Sequence, residues 1–209
     1  MTQSGGTGAQ MEELDLFYEE VKKSHSSPLW TIDQPGAARR VLPFLWRWQD
    51  FRPLMHKAAR LVPIEKAERR VLVFANPGLT DARRPGATTT LFANLQIINP
   101  GEIARTHRHS ASALRLVVEG KGAWTAVEGE KSYMEPGDFV TTPNWTWHDH
   151  GHEGDEPMVW LDGLDIPVVQ AMEVSFYELA AETKQQLTKP DDVSLRLYGA
   201  GSLRPTWTR

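Results

Sequence analysis

Three histidines in this sequence are placed to do chemistry: His107 and His109 in PGEIARTHRHSASALRLVVEG, and His148 in GDFVTTPNWTWHDHG. Both runs read as β-strands, in which residues i and i+2 point to one face. His107 and His109 then present their rings side by side, about 6.6 Å apart at the backbone, two steps of roughly 3.3 Å. That spacing suits two ligands of one ion. Neutral imidazole is the commonest metal ligand among side chains, and three protein ligands leave coordination positions open, as a catalytic metal requires. A lone histidine is more often a hydrogen-bonded structural residue, so the flanks of both runs decide the weight of the pattern.

Gly101 lies six residues before His107, and Gly120 closes the strand pair after it. A second block begins at Pro136-Gly137-Asp138, reaches Pro143 and meets His148 five residues later. The two blocks resemble the paired motifs of the cupin superfamily, a small β-barrel that holds a metal between its sheets. In the general cupin pattern a metal-binding Glu stands four residues after the second His; here that position is Ala113, so the resemblance implies a site of three histidines without a carboxylate. The stretches AERRVLVFANPGL, TTTLFANLQIINPGEIARTHRHSASALRLVVEGKG, DFVTTPNWTWHDHG and VWLDGLDIPVV closely resemble the gentisate 1,2-dioxygenase family and its relatives that open salicylate or 1-hydroxy-2-naphthoate. The match runs from about Trp46 to Val169.

The resemblance implies a mainly β fold, a single cupin (jelly-roll) barrel with an N-terminal helical extension, corresponding to the N-terminal cupin half of that family. It implies Fe(II) held by His107, His109 and His148, although the ligand set alone would also accept Zn, Mn, Ni or Cu. It implies an aromatic hydroxy acid and dioxygen as substrates, ring opening between the carbons bearing carboxylate and hydroxyl, and maleylpyruvate as the product from gentisate. Arg115 is implied on the substrate carboxylate, His150 beside the metal as hydrogen-bond partner or base for the substrate hydroxyl, and Asp162 on gentisate's second hydroxyl. Arg70 is a further candidate for the carboxylate. A homo-oligomer is implied as the assembly.

Strand parity extends the site. If the strand through His107 and His109 continued in register, Ala113, Arg115 and Val117 would face inward as well. A buried guanidinium needs an anion, either a protein acid such as Asp162 or Glu119, or a substrate carboxylate, which Arg matches bidentately. Phe92, Asn94 and Gln96 alternate along TLFANLQII toward the same cavity, and a buried Gln96 amide needs partners, so it would orient a neighbouring group or the substrate. In WTWHDHGH, His148, His150 and His152 share a side, with His152 read as a loop residue. An unperturbed His150 would titrate near working pH. His25 and His56 read as surface residues.

The elements that must position these groups are short. From Arg69 onward the chain breaks into strands of four to eight residues cut by Gly, Pro and Asn, a sandwich or barrel pattern, with Val127-Glu128-Gly129-Glu130 as a hairpin turn. Before them, Leu14, Phe17, Tyr18 and Val21 mark an amphipathic helix in MEELDLFYEEVKK, with acids in its first turn and lysines in its last. Its apolar stripe would pack on the barrel or a partner subunit. A second helix is expected over Arg52 to Leu61, with Pro53 in the first turn and Leu54, Ala58 and Leu61 on one face. The expected organisation is a disordered tail over 1–10, a helical extension over 11–66, the barrel over 67–170, and helix and linker over 171–209, with QAMEVSFYELAAETKQQL returning to helix.

At 209 residues with 40% apolar content the chain can build one core. A net charge of −4 without basic clusters argues against nucleic acid. The chain holds no cysteine, which removes disulfides and thiolate sites. With no apolar leader at its start and no stretch of about 18 apolar residues, it reads as cytoplasmic. The eight tryptophans, among them Trp46, Trp48, Trp145, Trp147 and Trp160, read as packing residues rather than stacking platforms. Family members usually carry two barrels in about twice this length. An alternative class is therefore a truncated, non-catalytic metal-binding cupin, or half of a split dioxygenase.

Overall fold

The computed structural model describes residues 8–31, 41–79 and 85–199. The chain divides into two compact units, Met1–Arg39 and Arg40–Arg209.

In the first unit the expected helix forms as α1, Gly8–Lys23, followed by a 3-10 turn at Leu29–Thr31. It starts upstream of the expected point, so 8–10 are helical rather than tail and its first turn carries no acid; Lys22 and Lys23 do close it. Residues 1–7 of the expected tail lie outside the described residues. Leu14, Leu16 and Phe17 remain exposed.

The second unit opens with α2, Trp48–Leu61, and one turn of helix, α3, at Ile64–Ala67. Two expectations for α2 change together. The helix begins four residues earlier, which puts Pro53 past the first turn, where its missing N–H leaves one carbonyl without an intrahelical partner. The buried stripe is then Phe51, Met55 and Ala59, packed with Leu95, Ile97 and Val159, while Leu54 and Leu61 stay exposed. Two aromatics at the start of the helix, Trp48 and Phe51, draw that face onto the sheet.

The barrel is two five-stranded sheets in which every pairing is antiparallel. One sheet holds β1 (Arg70–Val73), β2 (Phe92–Ile98), β4 (Ala113–Glu119), β7 (Phe139–Thr142) and β9 (Met158–Leu164), in the order β1-β2-β9-β4-β7. The other holds β3 (Ile103–His109), β5 (Ala123–Val127), β6 (Glu130–Tyr133), β8 (His148–His152) and β10 (Tyr177–Leu179), in the order β10-β3-β8-β5-β6. The β5–β6 hairpin turns at Glu128 and Gly129, both at positive φ (48° and 77°), the backbone that a two-residue hairpin demands. Gly151 serves a different need: a Cβ there would meet the Trp124 ring at 2.2 Å, so the indole closes directly over β8.

Between the sheets, Ile98, Val117, Ala123, Met134, Met158 and Trp160 form a buried apolar cluster. Ala113 and Arg115, farther along β4 from Val117, line an internal cavity. Parity placed these β4 residues inward, but not by a continuous strand. The chain leaves β3 after His109 and enters β4, in the opposite sheet, at Ala113.

The expected long helix after Val169 is a six-residue α4, Ile166–Ala171, followed by β10. The β3 edge offers unpaired backbone groups, and β10 takes them, with Tyr177 opposite His109 and Leu179 opposite His107. Sheet pairing here overrides helical propensity. Past Ala180 the described residues hold no further strand or long helix, only an irregular helical turn at Leu195–Gly199; the rest of the expected linker, 200–209, lies outside them. Among the described residues no helix is long and apolar enough to cross a membrane.

Candidate metal centre and active site

A single extra residue in β3 brings the three histidines together. Ala104 pairs with His150, but the next matched pair is His107 with His148, so three steps along β3 are met by two along β8. Without this bulge Thr106 would stand opposite His148, and His107 and His109 would point out of the barrel, because a one-residue slip turns every side chain over. With it, one nitrogen of each of His107, His109 and His148 falls within 4.8 Å of the others. The ring centroids are 4.1 Å apart for His107 and His148, and 4.8 Å for His109 and His148.

Backbone carbonyls set the tautomers. Nδ1 of His107 donates to Arg105 O (2.8 Å), Nδ1 of His109 to Ala111 O (2.7 Å) and Nδ1 of His148 to Thr146 O (2.9 Å). A carbonyl only accepts, so each Nδ1 carries the proton and each Nε2 keeps its lone pair. Burial, then the Arg69 charge, holds His107 far below the ordinary imidazole range. Burial and then Arg115 bring His148 down to about 3. His109 is lowered by burial as well. All three are neutral at working pH, as ligation requires. Nε2 of His148 is buried without a hydrogen-bond partner, and Ala113 supplies no carboxylate to the cavity. Neutral nitrogens converging with an unfilled lone pair fit a divalent ion that accepts imidazole.

The cavity that these rings face has a volume of about 570 Å³, within the roughly 300–1,000 Å³ usual for a small-molecule site. Phe92, Asn94 and Gln96 line it, as do His150 and Asp162. Arg115 is buried in its wall: Nη1 donates to Thr142 Oγ1 (2.9 Å) and Thr125 Oγ1 (3.4 Å), and Nε lies 3.1 Å from Asp162 Oδ1. That last contact is an ion pair without an aligned hydrogen bond, since both atoms lack a hydrogen-bond partner. Asp162 Oδ2 accepts from Trp160 Nε1 (3.1 Å). Asn94 Oδ1, His148 Nε2 and His150 Nδ1 are buried without a hydrogen-bond partner, Arg115 Nε and Asp162 Oδ1 have only their ion pair, and all belong to residues of this one cavity. Buried polar atoms are normally paired, and a polar ligand in this cavity would supply the missing partners.

Several expectations change. His150 does not titrate near neutrality: burial, then Arg115, pushes it well below the ordinary range, so it acts as a neutral ring. His152 is no loop residue. It ends β8, buried, with Nε2 against Glu156 O (2.6 Å) and Nδ1 accepting the Gly154 N–H (2.9 Å). His56 is half-buried against Glu119 (2.9 Å), and Arg52 grips the same carboxylate (2.6 Å), so Glu119 is not the partner of Arg115. His25 is exposed. Trp124 and Trp160 are fully buried, but Trp145 is partly exposed, and with Trp147 it flanks the Arg108 guanidinium at 4.4 Å.

Arg70 faces away from the cavity, paired through both terminal nitrogens with Glu102 and donating from Nε to Val62 O. Its neighbour Arg69 lines the cavity instead, with Val71 and Val73. Alternation along RRVLV held that signal, because Arg69 shares parity with Val71 and Val73. Tyr177 was also missed. It arrives on β10 and lines the cavity, its ring 5.6 Å from that of His107 and its hydroxyl 3.2 Å from Glu68 Oε1. Nothing local in the sequence marks β10 as a strand of this sheet.

The family model for the cupin domain matches residues 94–164. The chain is 44% identical to gentisate 1,2-dioxygenase 1 of Aquipseudomonas alcaligenes, over 93% of its own length and 57% of that protein. It is 36% identical to a 1-hydroxy-2-naphthoate 1,2-dioxygenase of Nocardioides sp. (strain KP7), over 99% of its own length and 56% of that protein. The solved salicylate 1,2-dioxygenase from Pseudaminobacter salicylatoxidans superposes with a TM-score of 0.83 at 36% identity, over 99% of this chain and 58% of that one. The chain thus spans little more than half the length of these relatives.

Proposed function

We propose that this chain, which belongs to the cupin superfamily as a homologue of the gentisate 1,2-dioxygenases, is the Fe(II)-binding barrel of a dioxygenase that opens gentisate-like 2-hydroxybenzoates, converting gentisate to maleylpyruvate. The observation that carries the proposal is the convergence of three neutral imidazoles on the wall of a cavity in which Asn94 Oδ1 and His150 Nδ1 are also buried without hydrogen-bond partners. Iron bound there supplies Lewis acidity toward the substrate's phenol and the redox chemistry that dioxygen requires.

The chain's own groups do the rest. Arg115, at the buried end, and Arg69, beside His107, bracket the position of an aromatic acid and hold its carboxylate. His150, held neutral, accepts a hydrogen bond from the substrate hydroxyl at a ring nitrogen. The Gln96 amide orients the ring, and Asp162 meets a second hydroxyl where the substrate has one. Phe92 gives the cavity an apolar wall, and Trp160 packs against the His150 ring with centroids 5.5 Å apart. Salicylate and 1-hydroxy-2-naphthoate are alternative substrates of the same site. A cytoplasmic location and a homo-oligomeric assembly belong to the same proposal.

A second reading, a metal-binding cupin that is non-catalytic alone or forms half of a split dioxygenase, is favoured by one contact. Arg115 already has Asp162 as its anion, and so is charge-paired without a substrate. An oxygen electrode separates the two. Oxygen uptake by the Fe(II)-loaded chain with gentisate, together with absorbance of a ring-opened product, supports the enzyme. Stoichiometric metal and gentisate binding without uptake supports the second reading.

A further inference from the structure

The β3 bulge removes Arg105 and Thr106 from pairing with β8, and a different part of the chain takes up their hydrogen bonds. Thr106 N–H donates to Thr183 O (3.0 Å), and Ala180 N–H donates to Thr106 O (3.0 Å). The Arg105 guanidinium reaches Ala180 O (2.9 Å) and Ala181 O (3.2 Å). Behind β8, on the face turned from the cavity, Asp149 sits fully buried between His148 and His150. Its Oδ2 accepts from Thr106 Oγ1 (2.9 Å) and from the Gln185 N–H (2.6 Å). The Gln185 side-chain amide adds Asp149 Oδ1 (3.3 Å) and Ala126 O (3.1 Å).

Gln185 also anchors the segment to β5 and the turn after it, through Ala126 O and the Gly129 N–H, but the segment's bonds to Arg105, Thr106 and Asp149 bear on the ligands. Arg105 supplies the carbonyl that sets the His107 tautomer, so the backbone that the 180–185 segment holds is the backbone that aims Nε2. Relaxing the bulge by one residue would exchange His107 for Thr106 opposite His148. A buried carboxylate is costly unless its acceptors are filled, and those of Asp149 are filled only when Thr106 faces outward and the segment lies in place.

We propose that residues 180–185 form an outer strap whose hydrogen bonds to Arg105, Thr106 and Asp149 hold the β3 bulge, and through it His107, in metal-binding geometry. The proposal rests on the three-histidine metal reading. Thr106, Asp149 and the strap are positioning groups that touch neither metal nor substrate.

The test uses the full chain loaded with Co(II), with affinity measured by chelator competition and geometry by the ligand-field absorption of the saturated protein. Thr106→Val keeps the side-chain shape and removes the hydroxyl, Thr106→Ser restores it, and Asp149→Asn is an isosteric second variant should the first fail to fold. Outer groups that orient metal ligands typically change affinity by about 10–100-fold. A loss on that scale is expected for Thr106→Val and Asp149→Asn, with a shifted absorption band at saturation and recovery of both in Thr106→Ser. Wild-type affinity and an unshifted band in the folded variants would overturn the strap. Absence of stoichiometric Co(II) binding in the wild type, or undiminished binding by His107→Ala, would instead overturn the metal reading and the strap with it.

Discussion

The guanidinium of Arg69 donates from Nη1 to Nε2 of His107, so the lone pair that a metal ion would take is held by a cation. A guanidinium and a metal cannot both occupy that lone pair. A metal ion on His107 Nε2 would therefore require Arg69 to release that nitrogen, leaving the guanidinium in the cavity wall without that acceptor.

Replacing Arg69 by Met should tighten metal binding and weaken substrate binding. The gain in metal affinity is about 10–100-fold, the scale of one hydrogen bond to a charged group. KM for gentisate should rise over the same range. Chelator competition and oxygen-electrode kinetics on one preparation read both, and unchanged metal affinity would mean that Arg69 leaves His107 without cost.

Arg115 and Asp162 are buried together. Removing one charge from such a pair costs about 3–5 kcal/mol. Arg115→Met should lower folding stability on that scale in denaturant unfolding and reduce kcat/KM sharply. The double variant Arg115→Met/Asp162→Leu should regain most of the stability and none of the activity. Recovery of both would show that Arg115 serves only the fold.

His107→Ala should abolish iron binding and oxygen uptake together. In the wild type, chelator treatment should stop uptake, Fe(II) should restore it and Zn(II) should not, because zinc has no redox chemistry. Iron-free turnover would refute the site assignment.

Acid sensitivity should trace partly to Glu102. Burial raises its pKa, but hydrogen bonds from Arg70 and from the Asn99 N–H outweigh that and hold it below the usual 4.5. A carboxylate depressed in the folded state stabilises fully above its unfolded value, and the contribution is lost as pH falls through the folded one. Stability should thus decline below about pH 4.5 in the wild type. In Glu102→Gln that part of the acid limb should be flatter and the stability at neutral pH lower, as read from melting temperature against pH.

Much of the site was legible because period-2 alternation is a local property of the chain. His107 with His109, and Phe92 with Asn94 and Gln96, share faces whatever the rest of the fold does. Turn residues such as Glu128-Gly129 were equally local. The helix boundaries were less so: α2 acquires its buried face from where Trp48 and Phe51 meet the sheet, and β10 is a strand only because the β3 edge is there to pair with it.

By itself, then, the sequence determined the candidate ligand types, their strand spacing and the barrel pattern, since each depends on residue identity and neighbours a few positions away, while the missing carboxylate at Ala113 came from the family resemblance. Tertiary structure alone decided that a one-residue bulge turns His107 toward His148, that Asp162 is the anion beside Arg115, and that Arg69 rather than Arg70 enters the cavity. Those outcomes depend on register between strands distant in the chain, where a slip of one residue reverses every face, and no local pattern carries that information.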